Sequence, residues 1–497
     1  LLVVIIAVLH SSSSTGDVFT SLEKMKGLAR LESFLPTILE KYLDRQQVIP
    51  RVLLDFLDLL KTQTRVKNDM GLDRFVLHPT NAFKMIRRFL KHWTELANYL
   101  NKGPDNDLKE MLNVNRPIFP KPSDLLACAE AILRIQDVYN LTAKQIAKGH
   151  ISMATEPGLP LDADECYELG YTNHKWKYFE QARDWMWEAL LQISMIQDNN
   201  LHSCGIVLEY LSWAEYQVGD LGQESDISYH MFFSYKPEST KAYRSLDAMQ
   251  EEIIYQKKFG KDNLPSRVNV GNRDKGKEDH AFDYERLCRG QPNKVRIPKQ
   301  LRCYYKSSHP LLRLKPAKIE VLDPDRQILL LRDVINESQM QFIKELAAPK
   351  VSSLHLSPTN RSPSERRFSS SAWLGDADGA PIAALSRRIE AITDFHVTGD
   401  SAESLQVVHF GIGGHFEPRY GYNALNFVDA GGSNVFLDSE LSVSPQKGSA
   451  VFWLNMRRSG KETLHAACPV IVGHKWVAKK WIRERDQVFT RRCGLHE

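Results

Sequence analysis

Apolar residues return every three or four positions between Thr20 and Leu100: Leu22, Met25, Leu28, Leu31 and Leu35, then Val52, Phe56, Leu59 and Leu60. That spacing places them on one face of a helix, so the stretch predicts amphipathic helices, interrupted at Pro36 and Pro50 where proline removes a backbone donor. The same period recurs from Asp162 to Pro237 in CYELGY, YFEQARDWMWEAL and VLEYLSWAEYQVGDL, with Gly219-Asp220 as a turn. This is a helix-turn-helix beat like that of a tetratricopeptide unit. Lys257 to Gln300 is poor in apolar residues and dense in charge, Asn and Gly, which predicts a linker. From Leu405 to Arg485 the pattern changes to short apolar alternations between Gly-rich turns: LQVVHFGIGGHFEPRYGY, GGSNVFLDSELSVSPQKGSAVFW and HAACPVIVGHKWVAKKWIRE. Alternation of this kind predicts antiparallel strands folded as a jelly-roll-like double sheet. The expected fold is therefore multi-domain α+β, helical in its first half and β-rich in its last third.

A chain of 497 residues can bury several cores. Its 65 Lys and Arg nearly balance 61 Asp and Glu, and no patch interleaves aromatic with basic residues, so nothing points to nucleic acid. Leu1 to Leu9 is an apolar run followed by small residues to Gly16, too short to span a bilayer and shaped like the core and cleavage region of a secretory signal. Asn140-Leu-Thr and Asn336-Glu-Ser are glycosylation acceptors that fit that compartment, and Asn360-Arg-Ser is a weaker one because Pro363 follows. Seven cysteines occur without a Cys-x-x-Cys pair, which argues against zinc or thioredoxin-type chemistry.

Two polar residues stand out in the β-rich stretch. His465 precedes the apolar segment Pro469 to Gly473, and Lys475 follows ten positions after it, where a strand return would aim both into one barrel mouth. The runs HAACPVIVGHKWVAKKW and SPQKGSAVFW resemble the catalytic domain of the collagen prolyl 4-hydroxylase alpha subunits, which are iron(II)- and 2-oxoglutarate-dependent dioxygenases. The resemblance implies iron held by a His-x-Asp pair plus a distant His, and a Lys that pairs with the far carboxylate of 2-oxoglutarate. His465 matches the distant His and Lys475 matches that Lys. The first ligand pair does not match, because the run that should hold it reads Glu417, Pro418, Arg419, Tyr420, Gly421. Arg419 has no lone pair to give and Gly421 has no side chain, so two of three expected ligands are lost. The family's tyrosine nine residues before Arg419 is Phe410, and the segment after Gly421 is shorter than the family pattern by roughly one long strand with its turn. His409 and His415 are the imidazoles near enough to be weighed as replacements, with His415 sharing a face with Arg419 by strand parity. Arg419 and Lys475 together would hold a dicarboxylate such as 2-oxoglutarate without metal.

The resemblance runs along the whole chain and implies an order of domains: a signal remnant at 1–16, a helical pairing domain at 17–155, and a peptide-substrate-binding module at 156–256. A linker with a disulfide loop at 257–310 and a shortened dioxygenase-type domain at 311–497 complete it. It implies self-association through the N-terminal helices, protein disulfide isomerase as partner, ascorbate as a further cofactor and residence in the endoplasmic reticulum lumen. In the module, Tyr167, Tyr171, Tyr178, Tyr210, Trp213 and Tyr216 are the candidates to line a groove for a proline-rich chain, since rigid aromatic faces suit a polyproline II ligand. The family's disulfides fall at Cys288 with Cys303 and at Cys468 with Cys493, leaving Cys128, Cys166 and Cys204 as buried thiols. The expected function is that of an alpha-subunit homologue acting on peptidyl proline in procollagen-like chains with catalysis impaired or lost, the alternative being a non-catalytic peptide- and partner-binding subunit.

Overall fold

The computed structural model describes residues 18–19, 21–102, 106–153, 155–195, 201–218, 280–292, 302–350, 352–353, 369–420, 430–455, 462–483 and 487. The signal-like run, the Gly219-Asp220 turn, Asn360, Gly421, Cys493 and most of the linker lie outside them. The chain forms two compact units, residues 140–278 and the remainder before and after it.

In the larger unit the N-terminal helices are α1 (Leu22–Leu43), α2 (Arg51–Met70), α3 (Leu72–Val76), α4 (Pro79–Arg88), α5 (Thr94–Leu100), α6 (Asp107–Asn115) and α7 (Pro122–Tyr139). The expected break at Pro50 is present, since Pro50 stands at the N-cap of α2. The one expected at Pro36 is absent, and α1 runs through it. Leu35, Leu39 and Leu43 are buried on one side of α1, and their burial outweighs the loss of one backbone hydrogen bond. The stripe on α2 is narrower than expected: Phe56 and Leu60 are buried, whereas Val52 is 75% and Leu59 43% exposed. Glu32 of α1 is buried between Arg88, whose guanidinium donates to both carboxylate oxygens at 2.8 Å, and Lys67 at 3.5 Å. Burial opposes its ionisation, but the two cations hold its pKa below the ordinary value.

The unit of residues 140–278 contains α8 (Ala143–Ala147), α9 (Ala163–Lys175), α10 (Phe179–Met195) and α11 (Leu201–Val218). Asp162 and Glu165 form a reciprocal capping box that starts α9. α10 packs against both α9 and α11, and Gly170 makes the first contact close, because a Cβ there would meet Met186 and the Trp185 Cβ at 3.0 to 3.2 Å.

The rest of the larger unit begins with α12 (Ala281–Cys288) and then β1 (Cys303–Lys306), β2 (Ala317–Asp323) and β3 (Ile328–Arg332). There follow α13 (Glu337–Ala347), β4 (Ser352–Ser353), β5 (Ser369–Leu374), α14 (Ala380–Thr393), β6 (Leu405–Phe410) and β7 (Phe416–Tyr420). The chain continues through β8 (Ala430–Gly431), β9 (Asn434–Phe436), β10 (Leu441–Val443), β11 (Ala450–Phe452), β12 (Leu464–Ala467), β13 (Val470–Val472) and β14 (Lys475–Lys479). The strands pair antiparallel in sheets ordered β1-β2-β3-β11, β14-β6-β5-β4, β10-β9-β12-β7 and β13-β8. Period-two alternation sorts each strand between two cores. On β6, Leu405 and Val407 join a cluster with α13 and α14, while Val408 and Phe410 join an inner cluster with Phe436, Val451 and Trp453. The outer face of β9 and β12 is covered by Val138 of α7 and by Tyr284 and Leu287 of α12.

That last contact corrects the expected disulfides. Cys288, at the end of α12, is bonded to Cys468 at a Cα–Cα distance of 5.6 Å, not to Cys303. Packing of α12 on β12 brings those two sulfurs together, whereas Cys303 opens β1 at the exposed edge of another sheet and is a free thiol. Cys128, Cys166 and Cys204 are buried and in no disulfide, as expected. Asn140 and Asn336 are both exposed, Asn140 with a left-handed φ of 53° and Asn336 as the N-cap of α13.

Candidate functional site

His465 and Lys475 reach one interior from facing sheets. On β12, Leu464 and Ala466 point out toward α7 and α12, so His465 points in; its ring lies 4.9 Å from Trp453 and 5.9 Å from Phe436 between centroids. Its Nδ1 lies 3.0 Å from the Thr463 carbonyl, which accepts its proton and leaves the lone pair on Nε2. On β14, Trp476 and Ala478 join the outer cluster, so Lys475 and Val477 face inward beside Phe410. Both His465 and Lys475 are only 1% exposed.

The Lys475 ammonium donates to the Gly432 carbonyl at 2.7 Å and to Asn434 Oδ1 at 3.0 Å, and lies 5.6 Å from the centre of the Phe410 ring. No carboxylate pairs with it among the described residues. Burial pushes its pKa down to about 7. Asn434 is equally buried, and its Nδ2 has no hydrogen-bond partner among the described residues. An ammonium buried without a counter-charge among the described residues, next to an unused amide donor, has the chemistry to hold a carboxylate. Gly432 and Asn434 were not singled out in the sequence, because their role depends on β9 lying across the interior from β14. Phe410 stands where the resemblance has a tyrosine, and it brings a ring to Lys475 without a hydroxyl.

The other half of the site is set by the register of β7. Arg419 lies directly across from His465 on one side of β12 and Phe436 lies across from it on the other. Residues opposite each other in an antiparallel pair share a face. The side chain of Arg419 lies outside the described residues. Neither residue type flanking His465 can ligate a metal, and no group of three His, Cys, Asp or Glu is placed to hold one among the described residues. Among the described residues, therefore, no set fits an iron ion held by three protein ligands.

Neither replacement imidazole is placed to repair this. His409 follows the parity of β6 onto the face opposite Phe410, with its ring 4.6 Å from Trp476 and 5.8 Å from His474. Burial there pushes its pKa down to about 3. His415 is buried ahead of β7, and a shift of register between Phe416 and Arg419 breaks the parity by which it would share a face with Arg419.

In the smaller unit, Tyr167, Tyr171 and Tyr210 form one ring cluster with centroids 5.3 to 5.9 Å apart. His174, which the sequence gave no reason to single out, joins it at 4.9 Å from Tyr210, and the Lys175 ammonium lies 4.5 Å from the Tyr171 ring. Trp213 and Tyr216 form a separate pair, and Tyr178 stands with Trp176. Trp213 is 39% exposed and the five tyrosines are half-buried, so the rings form the margin of the helical core.

Residues 21–153 match the family described as prolyl 4-hydroxylase alpha-subunit, N-terminal region. Along its length the chain is 32% identical to prolyl 4-hydroxylase subunit alpha-1 of Rattus norvegicus, covering 98% of each chain, and 32% identical to that of Homo sapiens, covering 96% of each. Subunit alpha-2 of Caenorhabditis elegans is 30% identical over 99% of this chain and 96% of its own. Among solved structures, the viral collagen prolyl hydroxylase of Paramecium Bursaria Chlorella virus-1, as its 2OG complex, matches 31% of this chain and 94% of that chain at 18% identity and a TM-score of 0.26. Identity sustained from end to end of both sequences, with the N-terminal region matched as well, makes this chain a member of the prolyl 4-hydroxylase alpha-subunit family.

Proposed function

We infer that the chain is an alpha-subunit homologue that binds proline-rich, procollagen-like peptide and a 2-oxoglutarate-type dicarboxylate in the endoplasmic reticulum lumen but does not hydroxylate. The observation that carries this is the register of Arg419 across from His465, at the position where the family places a metal ligand. A guanidinium there supplies charge and no lone pair. The dicarboxylate rests on different residues, which do fit it: Lys475 and Asn434 Nδ2 would take its far carboxylate, and Phe410 and Trp453 would exclude water around it. Arg419 is the proposed partner for the near end. In this reading the inner cluster is the core of a jelly-roll double sheet. The helices of the smaller unit are a tetratricopeptide-like module, with Tyr167, Tyr171 and Tyr210 as its peptide-holding surface. Self-association through the N-terminal helices and pairing with protein disulfide isomerase complete the proposal.

The test is succinate release by the purified full chain with iron(II), ascorbate, 2-oxoglutarate and a proline-rich peptide. None is expected, and turnover abolished by His465→Ala would overturn the reading. Metal-free binding of 2-oxoglutarate is expected, weakened by Lys475→Met and by Arg419→Ala; unchanged binding in the second variant would remove Arg419 from the site. Peptide binding tests the other half: Tyr210→Ala should weaken it by about tenfold, since that ring touches Tyr167, Tyr171 and His174 together. Undiminished affinity would make the cluster part of the core only.

A further inference from the structure

Helices α1, α5 and α6 and the residues at their ends line a half-open cleft of about 460 Å³, within the range of small-molecule sites. Its floor is apolar, with half-buried Ile38 open to the cleft and Leu100 and Leu108 buried around it. Tyr42 and Tyr99 stand in its wall. The Tyr42 hydroxyl has a raised pKa because it is desolvated and because Tyr99 lies near it. The rest of the lining is strongly one-sided in charge. Lys41, Arg45 and Lys102 share the lining with one carboxylate, Asp107, which lies 3.7 Å from Arg45. Among the described lining residues three cations stand against one anion, and neither Lys41 nor Lys102 has a side-chain partner among the described residues.

Concave shape, apolar floor, aromatic wall and cationic rim combine in one place, and each restricts the ligand differently. The floor needs an apolar body, the tyrosines suit a flat one, and the excess charge needs an anion. We propose that this cleft binds a small amphipathic anion, with a flat apolar body on Ile38 beside the tyrosine rings and a phosphate, sulfonate or carboxylate group held by Lys41, Arg45 and Lys102. The site is separate from the Lys475 interior and stands whether or not the chain hydroxylates.

Phenyl phosphate is the probe, titrated calorimetrically into the full-length chain, with phenol and inorganic phosphate as its two halves. Saturable one-to-one binding is expected, weakening as salt rises and tighter than either half by at least about tenfold. Lys41 and Lys102 are exposed, so the double variant Lys41→Glu/Lys102→Glu should melt at the parent temperature while losing affinity by about tenfold or more. Lys475→Met should leave the binding intact. The proposal fails if phenyl phosphate does not saturate, if the double variant binds it as well as the parent, if either half binds as tightly as the whole, or if Lys475→Met alone abolishes it.

Discussion

At the scale of single residues, Lys475 combines the most with the least. Burial lowers its pKa from the ordinary 10.5 to about 7, so above neutral pH the empty site holds a neutral amine. A bound carboxylate stabilises the ammonium and raises that pKa again. Binding of 2-oxoglutarate at pH about 8 should therefore take up about one proton, and affinity should fall as pH rises beyond about 7. Titration calorimetry in buffers of differing ionisation enthalpy reads the uptake directly. Zero uptake, or uptake unchanged in Lys475→Met, would separate Lys475 from the ligand. The same residue opposes folding: below pH about 7 its charge is buried at a cost that is relieved as pH rises toward the unfolded value.

At the scale of elements, the turn between β6 and β7 shows how the helices position the site. Gly413 has a φ of 70°, and a Cβ there would lie 2.6 Å from the Ala131 Cβ of α7. Nearby, Arg134 Nη1 donates to the Gly413 carbonyl at 3.4 Å, and the Tyr139 hydroxyl donates to the Pro469 carbonyl at 2.7 Å. α7 thus grips the ends of β7 and β12, the two strands that set Arg419 against His465. Gly413→Ala should destabilise the chain by about 2 to 4 kcal/mol, from the left-handed backbone and the clash together. Gly411, two residues earlier, has nothing within 4 Å of an added Cβ, and Gly411→Ala should change stability by less than about 1 kcal/mol. Chemical denaturation of the two variants side by side decides it, and equal losses would refute the close packing of α7.

At the scale of the whole molecule, acid sensitivity should come from the seam where the sheets meet the N-terminal helices. The Gly473 amide donates to the Leu77 carbonyl at 3.2 Å, with His409 buried and His474 half-buried beside it. Burial lowers the pKa of His409 to about 3 and that of His474 to about 4, each from 6.5. The neighbours of His474 are Lys26 and Lys344, which lower it further, and Asp73, which raises it. Both folded values lie below the unfolded one, so the unfolded chain binds more protons between about pH 6.5 and 4 and stability is lost as pH falls through that window. Denaturation midpoints across the window should fall less steeply for His409→Phe than for the parent. Parallel curves would show that His409 does not take part.

What the sequence by itself determined is whatever repeats over short distances or sits within one run. The helical and strand periods were legible, as was the placing of His465 and Lys475 where a strand return would aim both into one interior. These depend on side-chain type and on parity along a single element. Tertiary structure alone decided the rest. Pro36 lies inside α1 because the leucines around it are buried by other helices. His409 faces away from the site because β6 separates two cores. Asn434 and Gly432 meet Lys475 because β9 and β14 belong to facing sheets. Cys288 bonds to Cys468, 180 residues away, because α12 packs on β12. In each case the partner is distant along the chain, and the free energy that selects it comes from packing summed over many residues, which no local pattern records.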